Sequence, residues 1–295
     1  METEKSMNPV KRQPVTSYFV LTFAISWLGA LTVVAPRLLR GETIPKFSGI
    51  LMFPVMLLGP VASGILLTRV VDGTSGLRNL FSRMWRIRVG AQWYATLVIP
   101  PLTILFVLLF MRTFVSPVYA PNRFFVGLSF GIVAGFFEEI GWTGYAFPKM
   151  ARTGNTLVAG FALGVLWGCW HIPVIDFLGT ATPHGAYWLP YFLAFTGAMT
   201  AMRVLIGWIY ANTQSVALAQ LMHANSTGSL VVLSPSRTTP AQEAMWYAIY
   251  AIALWLIVGI AKRHLASEGA PSSTEGTPAR KCRLTLWEYL AKIRG

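Results

Sequence analysis

Apolar residues run along this chain in long blocks separated by short polar stretches, with no sustained alternation of polar and apolar positions. Blocks near the length needed to cross a hydrocarbon layer of ~30 Å begin at about Ser17, Phe47, Ala91, Phe124, Leu157, Tyr187, Ser215 and Glu243. The pattern predicts an all-α polytopic membrane protein of about eight transmembrane helices, because a helix satisfies its own backbone polar groups in lipid. The first block, Ser17 to Ala35, is too long for the core of a signal peptide and reads as a retained span. Leu77 to Val89 interleaves Leu80, Phe81, Met84, Trp85 and Ile87 with four arginines, as an interfacial amphipathic helix on anionic headgroups does. Ala266 to Ala279 is rich in Ser, Thr, Gly and Pro and reads as a flexible linker, with a short surface helix expected over Leu284 to Ile293. The expected organisation is an N-terminal tail over 1–16, a membrane domain over 17–263, and a linker with a short basic tail over 264–295.

Composition strengthens the membrane reading. Hydrophobic residues make up 54% of the chain and charged residues 12%, about half the share that a soluble surface needs. Mean hydropathy is +0.55. The net charge of +13 would raise the question of nucleic acid in a soluble protein. Here it fits basic loops on the cytoplasmic membrane face, and no nucleic-acid partner is expected. With the N-terminus inside, 18 of the 24 lysines and arginines fall on the inner side, counting Arg203 near a span end. Both termini are therefore expected in the cytoplasm, with the plasma (inner) membrane as the location. Cys169 in an apolar run and Cys282 in the polar tail suggest no disulfide framework.

Ionisable residues inside the blocks carry the candidate chemistry. An ionised acid at mid-membrane costs about 2.5–3.5 kcal/mol on insertion scales. Most of the eleven acidic residues stand in tails, loops or span ends, with Asp176 near the outer end of the fifth span. Glu138 and Glu139 sit deep in the fourth. Such a pair reads as a functional site, the plainer alternatives being a structural water-filled cavity or pairing with a buried cation such as Arg203. Neighbours on a helix point about 100° apart, so one carboxylate can face the centre of a cavity while the other orients it. His171 and His223 also fall inside spans, and each alone reads equally well as a hydrogen-bonded packing residue. Together with the glutamates they form a set that can ligate a divalent metal such as zinc, or activate water through carboxylate and imidazole. No H-E-x-x-H helix is present.

Glycines suggest how the set converges. Gly127, Gly131 and Gly135 recur every four residues on the fourth span, and Gly160, Gly164 and Gly168 do so on the fifth. Such stripes let helices approach closely, with packing alone as the plain alternative. The first stripe continues to Glu139 and then Thr143, and His171 lies seven residues beyond Gly164. The fourth and fifth spans are thus expected to bring acid and imidazole together. Counting 1.5 Å per residue from the inner ends spreads His223, Glu138 and His171 over roughly 10 Å of depth, which helix tilt must absorb.

The chain reads Glu138-Glu139-Ile140-Gly141-Trp142-Thr143, then Trp167-Gly168-Cys169-Trp170-His171, then His223-Ala224-Asn225-Ser226-Thr227. These motifs resemble the CPBP family, the CAAX-protease and bacteriocin-processing intramembrane proteases that include the type II CAAX prenyl endopeptidases. That family's pattern is E-E-x-x-x-R, an aromatic followed by x-x-x-H, and H-x-x-x-N, and the resemblance covers about residues 120–232. Thr143 stands where the family usually has Arg, and Thr227 where it usually has Asn. Arg203 is the candidate replacement for the missing cation. Asn225 is no simple substitute for the missing Asn, since two residues turn about 200° around a helix.

The resemblance implies a catalytic set in spans four, five and seven of an intramembrane metallo- or glutamate-type endopeptidase. Its substrate would be a membrane-embedded or lipid-modified peptide or protein, with membrane lipids as further partners. Glu138 would act as general base on water, with Glu139 and His171 orienting or ligating beside it. His223 would bind metal or stabilise the oxyanion, and Thr227 keeps a hydroxyl one turn from His223. A metal-dependent version would hold zinc on Glu138, His171 and His223, and the metal dependence stays open. Two other readings remain: an inactive relative that binds a membrane partner or confers immunity, motivated by Thr143 and Thr227, and a cation-coupled transporter, for which no inverted repeat between the halves is seen.

Overall fold

The computed structural model describes residues 9–42, 44–152, 155–175 and 184–268, and among these it contains helices and no strand. The frame consists of α1 (Pro14–Leu38), α2 (Lys46–Leu67), α3 (Gly73–Met84), α4 (Ile99–Phe114), α5 (Gly127–Gly141), α6 (Thr156–Trp170), α7 (Trp188–Thr213), α8 (Val216–Leu233) and α9 (Pro240–Glu268). Among the described residues seven helical stretches are long and apolar enough to cross a membrane, which makes the chain an integral multi-pass membrane protein. Their outer faces leave Leu102, Phe106, Leu193, Ile252 and Leu256 more than half exposed, as lipid-facing side chains are.

The fourth expected span departs from the others. Helix α5 has 15 residues and carries both glutamates, then passes through a π-helical turn, Trp142–Ala146, into a short helix, Phe147–Ala151. With two acids in 15 residues it is not among the seven apolar stretches, although Leu128, Ile132 and Phe136 still face outward. The expected interfacial helix is shifted as well. Helix α3 starts at Gly73, whose φ of +72° makes the turn out of the π-helical segment Thr68–Asp72, and it stops at Met84 rather than continuing to Val89. Its amphipathic character holds: Leu80 and Met84 are buried, while Phe81 and Trp85 are exposed. Asp176, residues 1–8 of the N-terminal tail, and residues 269–295 of the linker and tail lie outside the described residues.

Close backbone approaches decide which helices meet. A Cβ on Gly135 would stand 2.5 Å from the Gln220 carbonyl oxygen, and one on Gly131 would stand 2.4 Å from Ala224 O and Gly228 N. The α5 stripe therefore lies on α8, the helix of His223. Gly164 faces Thr200 Cα at 2.6 Å and Gly160 faces Val204 Cα at 3.2 Å, so the second stripe lies on α7, the helix of Arg203. The expectation that the two stripes join the fourth and fifth spans is thus corrected: each glycine stripe seats its helix against a different partner. A repeat of small residues dictates a close approach without naming the neighbour. Helix α2 closes the other side of α5, with Gly64 against the Gly141 Cα and Gly141 against the Pro60 carbonyl.

Candidate active site

The acidic pair sits at the C-terminal end of α5, where both side chains are buried. Glu139 is fully enclosed and surrounded by donors. Arg203 Nη1 donates to Oε2 at 2.8 Å, and Arg203 Nη2 stands 2.8 Å from Oε1 as an ion pair, too far off line to form a hydrogen bond. His223 Nδ1 lies 2.7 Å from Oε1, and the Thr143 hydroxyl, one turn along, donates to Oε2. Arg203 lies in the interior of α7 with no exposure, not near a span end, and so drops out of the inner-side charge count. Its guanidinium also covers the Trp167 ring at 4.4 Å. The expected replacement of the missing cation is realised by this arginine, which reaches the acid from another helix.

Glu138 is held differently. Its Oε2 accepts from Trp142 Nε1 at 3.0 Å and from Trp167 Nε1 at 2.7 Å. Its Oε1 accepts no hydrogen bond among the described residues. Two indole donors fix the carboxylate, which has no counter-cation of its own among the described residues. One carboxylate is a locked ionic hub, and the other is oriented yet keeps an oxygen for other work.

The histidines converge on the same tryptophan. The ring centroids of His171 and His223 lie 5.3 and 5.1 Å from that of Trp167, both edge-on, so the two imidazoles flank one indole. His171 caps the end of α6, with its Nδ1 2.7 Å from the Trp167 carbonyl oxygen. A carbonyl only accepts, so Nδ1 carries the proton and Nε2 of the neutral ring carries the lone pair. His223 likewise spends Nδ1 on Glu139 and has Nε2 left over. Thr227 is half-buried one turn beyond His223, and its hydroxyl has no hydrogen bond among the described residues. Asn225 points elsewhere and donates to the Leu97 carbonyl at 3.3 Å.

Local sequence explains this convergence. Ser215 caps α8 by accepting from Leu218 N at 3.0 Å, and Asn155 caps α6 by accepting from Leu157 and Val158 N, which sets where His223 and His171 fall along their helices. The π turn after Gly141 keeps Trp142 over Glu138 and Thr143 over Glu139, each four residues on. Such turns recur at functional sites. The two tryptophan donors had no assigned role in the sequence reading, although each stands four residues from a motif residue. Tyr18 of α1 was not singled out either; it is fully buried and edge-on to the Trp142 ring at 5.6 Å.

Among the described residues no group of three His, Cys, Asp or Glu is arranged to hold a metal ion. The trio Glu138, His171 and His223, which a zinc ion would use, is gathered around Trp167.

Residues 120–227, which contain all of these side chains, match the family described as type II CAAX prenyl endopeptidase Rce1-like. Over this core the chain is similar to the CAAX proteases. The chain is also similar to CAAX prenyl protease 2 of Methanococcus maripaludis, at 31% identity over 97 residues. That stretch is 31% of this chain and 35% of the relative, so the similarity spans about a third of the relative's length. The similarity covers the part of the chain where acid, imidazole and indole meet.

Proposed function

We propose that the protein is an intramembrane endopeptidase that hydrolyses a peptide bond in a membrane-embedded or lipid-modified substrate through a water activated by Glu138. The observation that carries this reading is the unequal treatment of the two glutamates. Glu139 is saturated by Arg203, His223 and Thr143, whereas Glu138 is anchored through one oxygen and offers the other. A water on Glu138 Oε1 would lose a proton to it as the hydroxide oxygen attacks the carbonyl carbon, and Glu138 would return that proton to the leaving amine. Glu139 holds His223, whose Nε2 when protonated donates to the oxyanion, with the Thr227 hydroxyl one turn away as a second donor. His171, tethered through Nδ1, positions the water through Nε2.

Zinc on Glu138, His171 and His223 is the competing form of the mechanism. Engagement of Nδ1 leaves each Nε2 free in either form, and the glutamate form is favoured because no three-ligand group is gathered among the described residues. The test uses purified protein in detergent with farnesylated and unmodified fluorogenic peptides. Cleavage that requires Glu138, His171 and His223 supports the proposal. Cleavage indifferent to all three refutes the mechanism, and absence of cleavage until Thr143→Arg and Thr227→Asn are introduced favours an inactive relative.

A further inference from the structure

A cavity of about 600 Å³ opens beside α3, between that helix, the π turn, the segment that follows it and the end of α7. None of the chemistry above uses it. Arg83, Arg86, Lys149 and Arg152 line it against a single acid, Asp72. That acid is already taken, since Lys149 Nζ lies 2.9 and 2.8 Å from its two carboxylate oxygens. Arg83 donates to the Gly144 carbonyl at 2.8 Å and to the Tyr210 hydroxyl, both neutral acceptors, and its buried Nε has no hydrogen bond among the described residues. Arg86 and Arg152 have no carboxylate partner among the described residues.

Three guanidinium charges therefore border one open cavity without a counter-anion. Gathering them costs repulsion that a bound anion would relieve. Guanidinium forks match phosphate oxygens in pairs, which an acid already engaged by Lys149 does not provide. On the opposite flank of the same segment Phe81, Trp85 and Ile87 are 43, 77 and 59% exposed, apolar side chains of the kind that seat a helix among lipid headgroups. The cavity thus opens at the depth where phosphates of a bilayer lie.

We propose that this cavity is a binding site for the phosphate headgroup of an anionic phospholipid, held by Arg86 and Arg152 with Arg83 behind them. Because Arg83 also grips the Gly144 carbonyl, the bound lipid would brace the π turn that follows the acidic pair.

The experiment is native mass spectrometry of the full-length protein in detergent with added phosphatidylglycerol or phosphatidylcholine. A one-to-one phosphatidylglycerol adduct is expected, with phosphatidylcholine not retained. Arg86→Gln with Arg152→Gln should lower phosphatidylglycerol retention roughly ten- to thirty-fold. Arg69→Gln with Arg78→Gln removes the same charge from exposed positions outside the cavity and should change retention by less than about twofold. Equal losses in both double variants, or equal retention of the two lipids, would overturn the site in favour of diffuse surface attraction. Displacement of the lipid by millimolar inorganic phosphate would assign the cavity to a free anion and also overturn the proposal. If the Gln pair unfolds, Arg86→Lys with Arg152→Lys replaces it, and retention undiminished by loss of the paired geometry then counts against the site.

Discussion

Removing Arg203 asks how the acidic pair is paid for in lipid. Arg203→Leu leaves Glu139, which has no solvent exposure, with only an imidazole and a hydroxyl as partners. Breaking a buried ion pair from one side costs about 3–5 kcal/mol, because the remaining charge is uncompensated. The structure also specifies a rescue. The Thr143 hydroxyl bonds the same carboxylate and lies 3.5 Å from Arg203 Nη1, so position 143 borders the volume the guanidinium fills. Thr143→Arg alone puts a second cation into an occupied slot and should destabilise by about 1–3 kcal/mol through overpacking and repulsion. In the Arg203→Leu background the same change supplies the missing cation from the π turn that follows α5, and should return at least about 2 kcal/mol. Equilibrium unfolding of the four proteins in mixed dodecylmaltoside and SDS micelles reads the cycle directly. A loss below about 1 kcal/mol for Arg203→Leu would refute the reasoning, as would a double variant equal to the sum of the single ones within about 0.5 kcal/mol.

Trp167→Phe removes one of the two donors to Glu138 while keeping an aromatic ring beneath Arg203; at about 1.5–3 kcal/mol for a hydrogen bond to a charged group, kcat/KM on a cleaved peptide should fall roughly ten- to a hundredfold, as steady-state assays would show. Gly131→Ala forces α5 off α8, because its Cβ would meet Ala224 O and Gly228 N at 2.4 Å, and should cost about 1–3 kcal/mol or more in the same unfolding assay. Gly259→Ala, with nothing within 4 Å of its Cβ, serves as the neutral control. Exhaustive chelation, checked by elemental analysis, should leave peptide cleavage intact; loss of activity restored by zinc would favour the metal form.

Much of this molecule is legible in the chain because lipid is a severe solvent. Blocks of apolar residues fix where helices run, and an acid pair inside such a block is expensive enough to mark a site by itself. The glycine stripes announced close approaches, but a stripe records only that some backbone comes near, so α8 and α7 could not be read from it. The indoles of Trp142 and Trp167 were hidden for another reason. A tryptophan in an apolar run reads as packing until an acceptor is known to lie under its N–H. The π turn at Trp142–Ala146 depends on hydrogen-bond register, which composition does not encode. Arg203 was visible as a cation out of place, and its pairing with Glu139 follows from where α6 seats α7.

The central claim is that the adjacent glutamates do different jobs, Glu138 chemical and Glu139 structural. Its most direct test measures cleavage and unfolding together for Glu138→Gln and Glu139→Gln. Cleavage should vanish in Glu138→Gln while its unfolding midpoint stays near that of the parent, whereas Glu139→Gln should lower the midpoint strongly by stranding Arg203. Retained cleavage in Glu138→Gln, or equal loss of stability in both variants, would contradict the account.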